Sequence, residues 1–127
     1  MNKILIIEDE GDIRDMFVEA LVEEGFRAIG AKNGQVGIEK TQKYHPDLII
    51  CDVTMPDLDG YQILTTLRQI PSTATIPFIF MSALSDEAER HKAMQLGADD
   101  YLSKPCTVEQ LLEAITKFAC QHTQKPV

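Results

Sequence analysis

The chain has 127 residues, ordinary apolar and charged fractions and a formal net charge of −8. That length fits one domain with a sizeable core, and apolar runs such as 4–7 and 76–81 are too short to span a bilayer. The acidity, with no basic run or aromatic–basic interleaving, argues against direct nucleic-acid binding, which needs Lys and Arg to neutralise phosphates.

In chain order, short apolar or β-branched runs alternate with segments of helical spacing. The first strand is predicted over residues 4–7, followed at once by Glu8, Asp9, Glu10, Gly11 and Asp12. Ile13, Met16, Phe17, Ala20 and Leu21 then form one helical stripe, with Gly25 as a helix end. A strand over residues 27–31 precedes a helix over roughly 34–44, in which Gly37 costs about 1 kcal/mol relative to Ala unless it permits close packing, the preferred reading. The third strand, 48–51, runs into Asp52 and the turn-rich Thr54-Met55-Pro56-Asp57-Leu58-Asp59-Gly60. Ile63, Leu64, Leu67 and Ile70 make the next stripe, with Pro71 behind it. Strand four, 78–81, leads to Ser82, and Ser85 is the candidate cap of a helix through Ala88, Met94 and Leu96 that Gly97 stops. Residues 101–102 form the last strand, and Thr107 caps the clearest stripe: Val108, Leu111, Leu112, Ile115 and Phe118.

Five strands alternating with five helices predict an α/β domain with a doubly wound parallel sheet over residues 1–120, and 121–127 read as a tail or the start of a linker. The first residues carry no secretory cleavage site, so a cytoplasmic location is expected. Cys51, Cys106 and Cys120 are odd in number, widely spaced and without CxxC, which argues against disulfides or a thiolate metal site. His45, His91 and His122 lack metal-ligand spacing.

In a doubly wound sheet functional groups gather beyond the carboxyl ends of the strands. Acids therefore follow strands one and three (Glu8, Asp9, Asp52), a hydroxyl follows strand four (Ser82), and an ammonium follows strand five (Lys104). Two carboxylates about 4 Å apart repel by roughly 4 kcal/mol at an effective dielectric near 20. Three together need a cation, or one must stay protonated. All-oxygen ligands with open positions suit Mg²⁺. The bland alternative is three solvated loop acids, an ordinary loop serine and a surface lysine.

These residues carry a resemblance. Glu8-Asp9, Asp52 with Met55-Pro56 and Asp59-Gly60, Ser82-Ala83, and the run from Gly97 to Lys104-Pro105 resemble, in order and spacing, the receiver domain of bacterial two-component response regulators, the CheY-like family. The resemblance covers about residues 2–120 and implies a flavodoxin-like sheet of strand order 2-1-3-4-5. It implies that Asp52 accepts a phosphoryl group from the phosphohistidine of a sensor histidine kinase or histidine phosphotransfer protein. Asp9 and Asp52 would ligate Mg²⁺ (or Mn²⁺), with Glu8 acting through bound water and Thr54 offering its backbone carbonyl. Lys104 and Ser82 would contact the phosphoryl oxygens, Tyr101 would be the aromatic of the switch, and Lys104-Pro105 would be cis. Output would leave through the face built from the last two helices and the last strand, towards a downstream protein or effector domain. Such a domain is a signalling switch and not an enzyme acting on a separate substrate.

Departures from the family pattern are few. Gly11 stands where many members have Pro, Cys106 where Phe is common, and Gln110 and Ala114 where members that dimerise as winged-helix regulators carry Glu and Arg. Thr54 and Leu84 flank the reactive site and would tune acyl-phosphate hydrolysis. A haloacid-dehalogenase-type phosphatase would want an Asp where Thr54 stands; a flavodoxin would not place Glu8-Asp9-Glu10 in its phosphate loop. A receiver-like interaction module without phosphate chemistry is the remaining alternative. The chain is either a stand-alone regulator or part of a longer protein.

Overall fold

The computed structural model describes residues 3–83 and 86–123. Strands and helices alternate: β1 (Lys3–Ile7), α1 (Gly11–Glu23), β2 (Arg27–Ala31), α2 (Gly34–Tyr44), β3 (Leu48–Asp52), α3 (Gly60–Gln69), β4 (Phe78–Ser82), α4 (Glu87–Gln95), β5 (Asp100–Ser103) and α5 (Val108–Thr123). All strand pairs are parallel and the order is β2-β1-β3-β4-β5, as expected for a flavodoxin-like doubly wound sheet. The central strands read as unbroken apolar runs because both faces are covered.

Side chains alternate across the sheet with period two, so one strand feeds two cores. Leu5, Ile7, Ile49, Cys51, Phe78 and Phe80 meet Ile63, Leu64 and Leu67 of α3 and Ala93 of α4. Ile4, Ile6, Leu48, Ile50, Ile79 and Met81 meet Phe17 and Leu21 of α1 and Leu111, Ala114 and Ile115 of α5. Of the stripe expected on α1, Met16 is the exception, with nearly half its surface in solvent.

Local chemistry sets the helix starts. Asn33 caps α2 by accepting from the Val36 amide at 2.9 Å. Asp59 and Gln62 exchange hydrogen bonds of 2.9 Å at the start of α3, and Thr107 and Gln110 do so at 2.9 and 3.1 Å at the start of α5. Each pair satisfies two amides that the first helical turn leaves without partners. Ser85, expected to cap α4, lies outside the described residues; Asp86 is the cap, accepting from the Glu89 amide at 2.8 Å. Gly37 has the packing role expected of it, because a Cβ there would fall 2.6 Å from Cδ1 of Ile7. α5 runs on through Thr123, past the domain end expected at 120, since residues 119–123 contain no Gly or Pro. Among the described residues no helix is long and apolar enough to cross a membrane.

Candidate phosphoacceptor and metal site

The strand order reverses between β1 and β3, and the crevice beyond their carboxyl ends holds the acidic residues. β1 is at the same level as β3 (Ile7 opposite Cys51), so Glu8 and Asp52 leave neighbouring strands side by side. Glu8 is anchored by its own amide, which donates to the Ala31 carbonyl at 3.0 Å. Asp52 is the last residue of β3, and its Oδ1 accepts from the Thr54 amide at 3.3 Å. Glu8 and Asp52 are buried and Asp9 is exposed; one carboxylate oxygen from each lies within 4.8 Å of the others.

Lys104 enters from the end of β5, where its amide donates to the Ser82 carbonyl at 2.8 Å and its peptide bond to Pro105 is cis, as the resemblance implied. Its ammonium bridges the two buried acids, 2.8 Å from Oε1 of Glu8 and 3.0 Å from Oδ2 of Asp52. Burial pushes the Glu8 carboxyl above its usual range; the Lys104 hydrogen bond opposes that shift and the charge of Asp52 adds to it. Burial draws the Lys104 ammonium down, but its hydrogen bonds to Glu8 and Asp52 prevail and leave it raised. A single ammonium thus faces two buried carboxylates with a third beside them. A further cation would find a set of hard oxygen donors here and would relieve the charge that the lysine leaves uncompensated.

The structure therefore brings Glu8, Asp9, Asp52 and Lys104 together, and the reading of three solvated loop acids fails on the burial of Glu8 and Asp52. Ser82 is fully buried at the end of β4, one residue beyond Met81, the partner of Asp52 across the sheet. Thr54 is exposed. Tyr101 stands opposite Phe80, and its ring is turned inward, 6.3 Å from that of Phe80 and almost free of solvent. Leu84 lies outside the described residues.

Two groups around the site carried no spacing signal in the sequence. Arg14, in the first turns of α1, donates to the Glu8 carbonyl at 2.9 Å. Tyr61 of α3 donates a 2.6 Å hydrogen bond to Glu89 of α4 and stacks edge-on against Phe80, beside Tyr101. Burial and the Glu89 carboxylate raise the Tyr61 phenol well above its ordinary range. Both contacts join residues that only the fold brings into register.

The fold and this pocket define a class: a doubly wound α/β domain with a lysine-bridged acidic cluster where the strand order reverses. Residues 4–116 match the family model described as the response regulator receiver domain, and the chain belongs to that family. It is 38% identical over 117 residues to the chemotaxis protein CheY of Bacillus subtilis, a match covering 91% of this chain and 96% of that protein. With the transcriptional regulatory protein PcoR of Escherichia coli it shares 40% identity over 115 residues, 91% of this chain but only 50% of PcoR, so it spans about half that relative's length. Among solved structures, the signal receiver domain of a signal transduction histidine kinase from Syntrophus aciditrophicus superposes with a TM-score of 0.87 at 31% identity, covering 99% of this chain and 96% of that one. The protein is thus a signalling domain of two-component systems, in which receivers pair with histidine kinases and effectors.

Proposed function

We propose that the domain is a phosphorylation switch in which Asp52 accepts a phosphoryl group from the phosphohistidine of a sensor histidine kinase or a histidine phosphotransfer protein. The observation that carries this reading is the Lys104 ammonium, held 3.0 Å from Asp52 and 2.8 Å from Glu8 in a pocket with three converging carboxylates. A carboxylate oxygen of Asp52 attacks phosphorus, the P–N bond breaks, and the electron pair leaves with the imidazole, which takes a proton. Thr54 holds Oδ1 of Asp52 through its amide. Lys104 then exchanges a carboxylate partner for phosphoryl oxygens, so its charge stays matched as the phosphoryl arrives. Phosphoryl transfer depends mainly on such positioning and charge neutralisation.

Glu8, Asp9, Asp52 and the Thr54 carbonyl are the groups proposed to hold Mg²⁺ or Mn²⁺, which when bound would supply positive charge to the phosphoryl oxygens. An apolar groove of about 410 Å³ beside Lys104, lined by Ile13, Met16, Phe17, Met81, Ala83 and Pro105, supports docking of a phosphohistidine-bearing partner over the pocket. It also accounts for the exposure of Met16.

Switching needs binding energy present in only one state. A swing from 1:99 to 99:1 takes about 5.5 kcal/mol; charge-assisted contacts of the phosphoryl group with Ser82 and Lys104, at roughly 1.5–3 kcal/mol each, approach it. Tyr101 and Phe80 then relay the state of Ser82 to the face formed by α4, β5 and α5. Acetyl phosphate with magnesium should add one phosphoryl mass to the wild-type protein and none to Asp52→Asn. Equal labelling of the two proteins would overturn the proposal.

A further inference from the structure

We propose that Arg14 is a positioning residue for cation binding at the acidic pocket and that it acts through the backbone between Glu8 and Asp9. The proposal rests on the metal-binding part of the reading above.

Arg14 makes no ion pair among the described residues, although it is a cation beside an acidic cluster. Its Nη1 donates instead to the Glu8 backbone carbonyl at 2.9 Å. That oxygen belongs to the planar peptide linking Glu8 to Asp9, so gripping it fixes the rotation of the plane from which both side chains depart. Glu8 has additional anchors in its amide bond to Ala31, in Lys104 and in the Glu10 amide, 3.3 Å from Oε2. Asp9 has none of these; its carboxylate is exposed and makes no hydrogen bond or ion pair among the described residues. The aim of Asp9 therefore depends on the peptide that Arg14 holds.

A second, independent feature keeps Arg14 in place. Its stem lies flat over Gly30 of β2, where an added Cβ would fall 2.8 Å from Cδ and 2.9 Å from Cγ. Those are distances real Cβ atoms do not adopt, so any side chain at position 30 would lift the stem. The absent side chain at Gly30 thus makes room for the arginine that spans from α1 to the strand end.

The two possible roles of Arg14 predict opposite signs. If its charge alone mattered, removing it would tighten binding of a divalent cation, because like charges repel. If it positions Asp9, removing it weakens binding. Loss of groups that orient metal ligands lowers affinity by about 10–100-fold, and the exposed Asp9 site suggests the lower end, about tenfold.

The test is a Mn²⁺ titration of the full chain, followed by the electron paramagnetic resonance of free Mn²⁺, on wild type, Arg14→Met and Gly30→Ala. Circular dichroism checks that each variant is folded. The proposal expects weaker binding, by about tenfold, in both variants, including Gly30→Ala in which the arginine charge remains. Unchanged or tighter binding in a folded Arg14→Met would overturn it. If that variant does not fold, Gly30→Ala decides: unchanged binding refutes the positioning role and weakened binding supports it. Absence of Mn²⁺ binding by the wild type would remove the metal site itself, and this proposal with it. That result is distinct from equal binding by all three proteins, which would leave the metal site standing and sink only the role of Arg14.

Discussion

Replacing Lys104 with Met removes the one ammonium that Glu8 and Asp52 share. At an effective dielectric near 20, contacts of 2.8 and 3.0 Å each represent roughly 5–6 kcal/mol of gross attraction. Much of this is offset by desolvation of the ammonium, and removing one partner from a buried pair typically costs about 3–5 kcal/mol. Protonation caps the share of this loss that falls on Glu8. Glu8 has a reference pKa of 4.5, so giving it a proton near pH 7.5 costs at most about 4 kcal/mol, at 1.36 kcal/mol per pH unit. Lys104 keeps 19% of its side-chain surface in solvent, and that screening brings the expected loss to about 2–4 kcal/mol in magnesium-free buffer.

The pH dependence follows from the direction of the Glu8 shift. Its folded pKa lies above the unfolded value, so its contribution is fully present below the unfolded pKa and disappears as pH rises through the folded one. Loss of the Lys104 hydrogen bond, which holds that pKa down, pushes it further up and widens the window. The deficit of Lys104→Met should therefore be smaller at about pH 5 than at about pH 8. It should also shrink in millimolar Mg²⁺: without the competing ammonium on Glu8 and Asp52 the variant should bind the cation more tightly than wild type, and a cation that binds only the native state stabilises it by mass action. Urea unfolding followed by far-ultraviolet circular dichroism measures all of these quantities. A deficit below about 1 kcal/mol, or one indifferent to both pH and magnesium, would refute the reasoning.

Two further outcomes test the packing and the buried thiols. Gly37→Ala gains up to about 1 kcal/mol of helix propensity but drives a Cβ to 2.6 Å from Cδ1 of Ile7, and overpacking of about 1–3 kcal/mol should win; thermal unfolding at or above the wild-type temperature would contradict this. In native protein, iodoacetamide should leave Cys51 untouched, since burial and then the charges of Asp52, Glu8 and Asp59 push its thiol well above the ordinary range. Half-buried Cys106, raised by burial, should react slowly, and both should react readily after denaturation; peptide mass mapping distinguishes them.

Much of the architecture was legible in the linear pattern. The apolar runs at 4–7, 48–51 and 78–81 fall inside β1, β3 and β4, and the Thr107 cap stands as expected. Runs of this kind mark strands buried on both faces, which sequence can register without knowledge of their neighbours. The helix around α4 was less legible: Ala93 is its one buried residue among those described, while Met94 and Leu96, through which the helix was expected to run, are substantially exposed. An apolar stripe specifies a helix face only where a sheet lies against it, and α4 has little of the sheet to cover.

The candidate site divides along the same line. By itself the sequence determined which chemical groups stand at the strand ends: three carboxylates, a hydroxyl and an ammonium, with the spacing of a receiver. Only the tertiary structure decided that Lys104 bridges Glu8 and Asp52, that these two acids are buried while Asp9 is exposed, and that Arg14 grips the peptide between Glu8 and Asp9. Groups at the ends of parallel strands meet because the sheet aligns those ends, which a linear pattern can anticipate. Burial, pKa and the aim of each side chain depend on contacts between elements far apart in the chain, such as a stem lying over Gly30, and these exist only once the domain has closed around them.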